Sequence, residues 1–515
     1  MSTPFDATGF SQKTVTDRGG IAGHPRGLST LFFTEMWERF SFYGLRAILF
    51  LYMITEVKKG GMAFDRPYAG LIMGTYTSSV YWTPLIGGWL ADKWLGARRA
   101  VLIGGIIIAC GHFSMALKTL PNFYIGLAFI AIGTGFLKPN VSTMVGDLYD
   151  EIDERRDAGF SIFYMGINLG ALLAPIVVGY LGQNVEWHYG FGAAGIFMVL
   201  GLIQYIAGKN RLRGVGERTV KASADIAQVR KIGNEAQRFG FDIVTVVLAA
   251  VGGAIGLWAG LHWGGAGWVG GIFPSVAGFF FGYIGGTVRS LNRGEALRVG
   301  VIFILFVFAI VFWMSFEQAA TSLTLFADRL THLYVLGRKF PSSWYQSVEP
   351  VFVVMLAPVF AMIWQRLRSK NPSSPTKFAL GLVFAAIAFA IVAFASRMVP
   401  ATGGAELTEA QKVGPIWLVV VYFSQALGEL CLSPVGLSSV TKLSPGRMVG
   451  LMMGVWFLAL SIGNFIAGLM GGAFNEKSEG ALLYMFGSVA AITLVAAALL
   501  AGLSPLIKRM TPQVT

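Results

Sequence analysis

The stretch FTEMWERFSFYG, residues 33–44, places Glu35, Glu38 and Arg39 at i, i+3 and i+4. On a helix these three share one face. Arg46 follows seven residues after Arg39 on nearly the same face, about 10 Å further along the axis, with Phe42 and Tyr43 between. The surrounding run is apolar and long enough to cross a hydrocarbon core about 30 Å thick. Other ionisable residues set in apolar runs are Lys138, Glu317, Glu349 and Glu429. A charge at mid-membrane costs a few kcal/mol or more and faces a partner or a cavity. This set therefore requires a shared polar interior. The chemistry it offers is reversible protonation: a neighbouring cation favours an ionised carboxylate, desolvation favours the neutral acid, and moving the cation tips the balance. A self-neutralising cluster that only fixes helix packing would account for Glu35 and Arg39. It does not account for the full set.

The elements that must hold these residues follow from composition. The chain of 515 residues is 55% hydrophobic and 13% charged, with 66 glycines and 40 phenylalanines. Apolar runs of membrane-spanning length recur throughout, and most are apolar on every side, which excludes a soluble multidomain protein. The runs predict helices at 28–55, 68–91, 98–118, 122–146, 158–181, 190–208, 241–263, 267–289, 298–327, 344–366, 376–397, 413–437, 447–472 and 480–504. This is an all-α membrane protein of fourteen spans, grouped six, two and six. The expected organisation is a cytoplasmic tail (1–27), a six-helix bundle (28–208), a basic linker carrying an inserted helix pair (209–297), a second six-helix bundle (298–504) and a cytoplasmic tail (505–515). Residues 1–27 lack the apolar core of a signal peptide. With the N-terminus inside, most of the 40 Lys and Arg residues fall on the cytoplasmic side, so both termini are expected there. The basic surface, including Lys209, Arg211, Arg213, Arg218, Lys221, Arg230, Lys231 and Arg238, reads as topology and contact with anionic membrane lipid rather than nucleic-acid binding. Cys110 and Cys431 lie in apolar runs and read as packing. The five histidines form no ligand-spaced cluster, so no metal site is expected. His112 reads as a satisfied packing residue, and the acidic run 147–157 as a solvated loop.

Two sets of six helices in the same orientation suggest a transporter of parallel halves. GGWLADKWLGARR, residues 87–99, resembles the loop between the second and third helices of the major facilitator superfamily, with one extra residue before Gly96. Asp92 and the Arg98/Arg99 pair would link helix ends in one state of the cycle. The matching loop APVFAMIWQRLRSK lacks the acid. The glycine-dense inserted pair predicts close packing at the bundle periphery and no direct role in transport.

EMWERFSFYG resembles the Glu-x-x-Glu-Arg-Phe-x-Tyr-Tyr-Gly signature of the proton-dependent oligopeptide transporters, bacterial type, with Phe42 in place of the first tyrosine. FSIFYMGINLGAL (160–172) is similar to the family's second signature. GFLKPNVSTMVGDLY (135–149), FWMSFEQAATSLTLFAD (312–328) and GELCLSPVGLSSVTKLSP (428–445) are similar to its fourth, seventh and tenth helices. The resemblance implies a major facilitator fold and inward symport of di- and tripeptides with protons by alternating access. It implies a monomer in the plasma (inner) membrane that needs no cofactor beyond the coupling proton. Carried over by motif, Arg46 and Lys138 would meet the peptide carboxylate, Glu429 its amino group and Asn168 its backbone. Tyr43, Tyr81, Trp313, Trp456 and Ser433 would line the pocket. Glu35, Glu38, Arg39 and Glu317 would couple protons, with Lys138 as a further partner. Glu349 stands where the family often has Asn before Pro. The extra acid either alters amino-terminus recognition and proton count or pairs with a lysine at the cavity edge. The second helix carries no histidine, so coupling must rest on carboxylates.

The charge pattern suits this substrate independently, because every short peptide carries both termini whatever its side chains. Rival readings are a carrier of nitrate or another small anion and a membrane sensor that binds peptides without moving them. A membrane-embedded enzyme would need a nucleophile–base pair or a metal site, and the sequence offers neither.

Overall fold

The computed structural model describes residues 17–150, 153–212, 214–217, 242–262, 267–335, 337–367, 370–401 and 407–511. The tail 1–16, Glu151 of the acidic run and the linker cations Arg213, Arg218, Lys221, Arg230, Lys231 and Arg238 lie outside the described residues. Fifteen α-helices are described. The first six are α1 (Arg26–Ile54), α2 (Arg66–Leu90), α3 (Ala97–Met115), α4 (Leu120–Gly146), α5 (Arg156–Tyr180) and α6 (Trp187–Ala207). The inserted pair is α7 (Ile243–His262) and α8 (Gly267–Val288). Then come α9 (Arg293–Phe316), α10 (Ser322–Leu330), α11 (Val348–Leu367), α12 (Ser374–Ser396), α13 (Ile416–Leu443), α14 (Val449–Gly472) and α15 (Ala481–Met510). The fourteen expected spans are all present, with α9 and α10 forming one broken span over Arg293–Leu330. A chain in lipid must satisfy its backbone groups internally, which is why these apolar runs are helices. Twelve spans are long and apolar enough to cross a membrane by composition alone. The other two are α1, which carries too many charges, and α2, which is rich in hydroxyl and aromatic side chains.

Helix ends follow local chemistry. Thr119 accepts a hydrogen bond from the Asn122 amide ahead of α4, and Asn292 and Glu295 form a capping box that starts α9. Gly96 opens α3 at φ 75°, a conformation that favours glycine. The break at Glu317–Ala320 winds into a 3-10 turn between α9 and α10. It places Glu317 where the regular ladder is interrupted, a common setting for a polar site in a transporter helix.

The chain divides into two compact units. The first holds Met1–Leu45, Thr83–Ala174 and Phe191–Thr219, and the second Arg46–Trp82, Pro175–Gly190 and Val220–Thr515. Helices α1, α2, α5 and α6 thus contribute a segment to each. On α2 and α5 the divisions fall beside Pro84 and at Pro175, where a helix lacks one backbone hydrogen bond. In the first unit Leu28, Leu31, Ile108, Leu137, Val141 and Met198 belong to one apolar core. There α3 lies so close to α4 that a Cβ on Gly104 would sit 2.6 Å from the Gly133 carbonyl oxygen. In the second unit the core is built mainly on α9, α12, α14 and α15. Glycines also let α7 meet α8 at backbone distance, and Phe273 of α8 stacks on Phe465 of α14 at 4.3 Å.

Candidate functional site

The first unit gathers the charges of the α1 motif. Glu35, Glu38 and Arg39 are 2%, 0% and 3% exposed, so their pairing must be internal. Arg39 Nη2 donates to Glu38 Oε1 at 2.6 Å, its Nε also meets the other Glu38 oxygen, and Glu35 Oε1 lies 3.4 Å from that Nε. Thr134 of α4 donates to Glu38 Oε1 at 3.4 Å, and the Arg39 guanidinium rests over the Phe42 ring at 5.0 Å. The second Glu35 oxygen is buried with no hydrogen-bond partner among the described residues. Lys138 of α4 is half-buried and within electrostatic reach of Glu35. Helix α5 reaches α1 through the glycines of its own motif: a Cβ on Gly170 would sit 3.0 Å from the Phe40 amide nitrogen. That approach brings Asn168 into the same unit, buried, with its amide donating to the Tyr164 carbonyl of its own helix at 3.0 Å. Tyr43 is half-buried and packs edge-on against Phe42 at 5.2 Å.

The second unit holds the other constellation. Arg46 forms an ion pair with Glu317, both nearly fully buried. Glu349, in the first turn of α11, lies within electrostatic reach of Glu429 of α13, Arg46 and Glu317. Tyr422, 1% exposed, faces Arg46, Glu349 and Tyr345. Tyr81, Trp313 and Trp456 fall in one apolar cluster. Trp456 packs over Gly436 and edge-on to Phe378 at 6.0 Å. The Ser433 hydroxyl is buried with no hydrogen-bond partner among the described residues.

Several expectations are revised, and Arg46, expected to meet the peptide carboxylate, forms an ion pair with Glu317. Among the described residues the charged groups that act on Glu349 are Glu429, Arg46 and Glu317, none of them a lysine. His112 is fully buried, but neither ring nitrogen has a hydrogen-bond partner among the described residues. Arg98 meets Glu217 and the Lys209 carbonyl, while Asp92 is exposed. The acidic run is also less solvated than expected: Arg155 is bound to Asp153 at 2.8 Å and donates to the Gly23 carbonyl, and Tyr149 is buried against His24. Of the two cysteines, Cys431 is buried and Cys110 is exposed.

Sequence reasoning passed over Tyr422 and the bonds that tie segments 46–82 and 175–190 into the second unit. Tyr422 stands seven residues before Glu429 on one helix face, a spacing that would have found it. Gln346 donates to Thr324 at 2.8 Å, and Gln183 donates to Ser342 at 2.8 Å. The Trp344 indole donates to the Ile176 carbonyl at 3.1 Å, and Ser461 donates to the Ser78 carbonyl at 2.9 Å. Arg66 grips Glu476 through two nitrogens at 2.5 and 2.6 Å, and Gly70 and Gly74 of α2 lie against the backbone of α14 near Gly468. A cavity of about 740 Å³ lies within this unit beside these contacts, lined by Lys59, Arg66, Lys339 and Glu476 among others. Burial pushes the Glu476 carboxyl up, but its hydrogen bonds to Arg66 outweigh that and hold it below the usual carboxylate range.

The sequence model of the POT family matches residues 98–235 and 286–486. The chain belongs to the POT family. It is 42% identical over 502 residues to the uncharacterized transporter YclF of Bacillus subtilis, covering 96% of this chain and 97% of that one. It is 40% identical over 524 residues to the peptide transporter YePEPT of Yersinia enterocolitica, covering 97% and 98%. Among solved structures it resembles a mutant of the peptide transporter POT in complex with alafosfalin, with TM-score 0.78, 39% identity and coverage of 96% and 98%. A POT family transporter in complex with 5-aminolevulinic acid matches with TM-score 0.75 and 29% identity, covering 95% and 98%. The fold expected from the sequence therefore stands: a major facilitator fold of fourteen spans, with two helices inserted between two sets of six.

Proposed function

We propose that this protein is a proton-coupled symporter that imports di- and tripeptides by alternating access. The observation that carries the reading is in the second unit: a guanidinium, Arg46, and two further carboxyl groups, Glu349 and Glu429, lie within electrostatic reach of one another through Glu349. A zwitterionic peptide presents the complementary pair of charges at its two ends. Arg46 and Lys138 are assigned to the peptide carboxylate, Glu429 with Glu349 to the amino group, and Asn168 to the peptide backbone. Tyr43, Tyr81, Trp313, Ser433 and Trp456 are assigned to the walls. Proton coupling is assigned to Glu317 with Glu35, Glu38 and Arg39. The peptide-transporter names of its relatives support the substrate class. The protein acts as a monomer in the inner membrane with both termini cytoplasmic, and its two halves correspond to 28–208 and 298–504. A charge moving down 100 mV supplies about 2.3 kcal/mol, roughly fifty-fold accumulation.

The test is dialanine uptake into liposomes under an inward proton gradient and an interior-negative potential. Concentrative uptake that an ionophore abolishes is the expected result. Binding without flux would point to a sensor. Flux of nitrate without dialanine would point to the anion carrier, which the acid excess around Glu429 disfavours.

A further inference from the structure

The cavity of about 740 Å³ within the second unit is lined by six cationic and three acidic side chains. It lies at the C-terminal end of α1, where the chain turns through Val57–Lys59 before α2. A two-stranded hairpin, β1 (Tyr334–Val335) and β2 (Arg338–Lys339), follows α10 and brings Lys339 to the cavity wall. The charges are unequally matched. Arg66 is bound to Glu476, Arg329 Nε lies 3.3 Å from Asp328, and Lys412 is held at 2.8 Å by Glu409. Lys59, Lys339 and Lys477 remain, all exposed and with no ion pair among the described residues, against one remaining acid of the lining, Glu56. Arg329 Nε is also buried with no hydrogen-bond partner among the described residues.

Lysines on a convex surface would be solvated and of no consequence. These three come from separate segments of the chain and line one concavity. A cleft dominated by one sign of charge focuses its field and speeds the arrival of the opposite charge. The volume falls within the range of small-ligand sites, roughly 300–1,000 Å³.

We infer that this cavity is an entry vestibule that gathers peptides with an acidic side chain and favours them over neutral and basic ones. All short peptides share the same two termini, so the termini cannot discriminate among them. The side chain makes alanyl-aspartate a net anion, leaves dialanine neutral and makes alanyl-lysine a net cation. The field of Lys59, Lys339 and Lys477 acts on that difference. The choice of peptides rests on the proposed import of short peptides and on the proposed topology, which puts the end of α1 outside. Capture of an anion by the cavity rests on neither.

The first measurement is uptake by the full-length protein in liposomes at about 10 mM and about 150 mM salt, where fields reach roughly 30 and 8 Å. At the lower salt kcat/KM for alanyl-aspartate should rise about tenfold, the lower end of electrostatic steering, while that for dialanine stays nearly constant. Combining Lys59→Gln, Lys339→Gln and Lys477→Gln should abolish the salt response and leave dialanine uptake intact. The corresponding three Glu substitutions should turn the preference towards alanyl-lysine, which a merely structural role would not do. The second measurement is lysine acylation of the purified protein by a neutral reagent, with citrate as the anion and sodium chloride of equal ionic strength as the control. Citrate should slow labelling of Lys59, Lys339 and Lys477 but not of Lys508, which is exposed and outside the cavity. If the variants fail to fold, the wild-type salt response and the protection by citrate still decide. Protection by citrate with no uptake of any peptide would sink the peptide reading and leave the cavity as an anion site. Dialanine uptake with no greater salt response for alanyl-aspartate overturns the vestibule and leaves peptide import standing. Lysines that citrate leaves unprotected overturn the anion site itself.

Discussion

The two charge clusters use the same residue types in different proportions. In the first unit Glu35 and Glu38 are matched by Arg39 and Lys138, and Arg39 contacts both acids. That set is neutral with every group ionised. In the second unit the three acids Glu317, Glu349 and Glu429 outnumber the cation that the described residues place beside Glu317 and Glu349, Arg46. That set is short of positive charge until protons or a cationic ligand arrive. The first set can therefore balance its charge internally, whereas the second takes up charge from what enters it. Removing the cation of the first is accordingly expected to cost more stability than changing an acid of the second.

Removing the cation of each cluster's main ion pair, or the acid, should separate the two. Arg39→Ala leaves two nearly fully buried carboxylates without their guanidinium, at a cost of roughly 3–5 kcal/mol. The expected outcome is a large fall in Tm and poor recovery from detergent. Combining it with Glu35→Gln and Glu38→Gln should restore much of the stability. If Arg39→Ala alone melts like wild type, the first cluster is not structural. Glu317→Gln should behave in the opposite way. It leaves Arg46 with Glu349 still within electrostatic reach, so the loss of stability should be smaller than in Arg39→Ala. Proton-driven dialanine uptake should fall at least tenfold, while peptide exchange across the membrane persists. Driven uptake surviving in that variant would remove Glu317 from the coupling scheme.

Much of this was legible in the sequence for a physical reason. In lipid an apolar run has few choices besides a helix, so the fourteen spans could be placed from hydropathy. Positions 35, 38 and 39 lie on one helix, where spacing fixes geometry, and their mutual pairing follows from it. Contacts between distant segments were not legible. Nothing in the spacing of Arg46 and Glu317, 271 positions apart, favours that pair over Arg46 and Glu429. The choice depends on the break after α9, which turns Glu317 out of the regular helix. Glu349 could be recognised as an extra acid, but its partner depends on how α11 meets α13. His112 shows the reverse failure: a polar residue in an apolar run is expected to find a partner, and the described residues provide none.

The smallest expected effect concerns a third ion pair, which belongs to neither cluster. Arg66 and Glu476 are both partly shielded, and Arg66 donates to Glu476 and to the Phe474 carbonyl. The pair joins the start of α2 to the segment after α14, within the second unit. A charge-assisted pair of this kind contributes about 1–2 kcal/mol. Because Arg66 holds the Glu476 carboxyl below its usual range, the contribution should be complete above the unfolded carboxylate value, about 4.3. It should fade only as the pH drops through the lower folded value. Wild type should therefore melt a few degrees above Glu476→Gln at neutral pH, and the two curves should converge in strong acid. A gap that instead widens as the pH falls would mean that Glu476 is held in its neutral form. The bond would then be an ordinary neutral one, and this contact would add no ion pairing to the second unit.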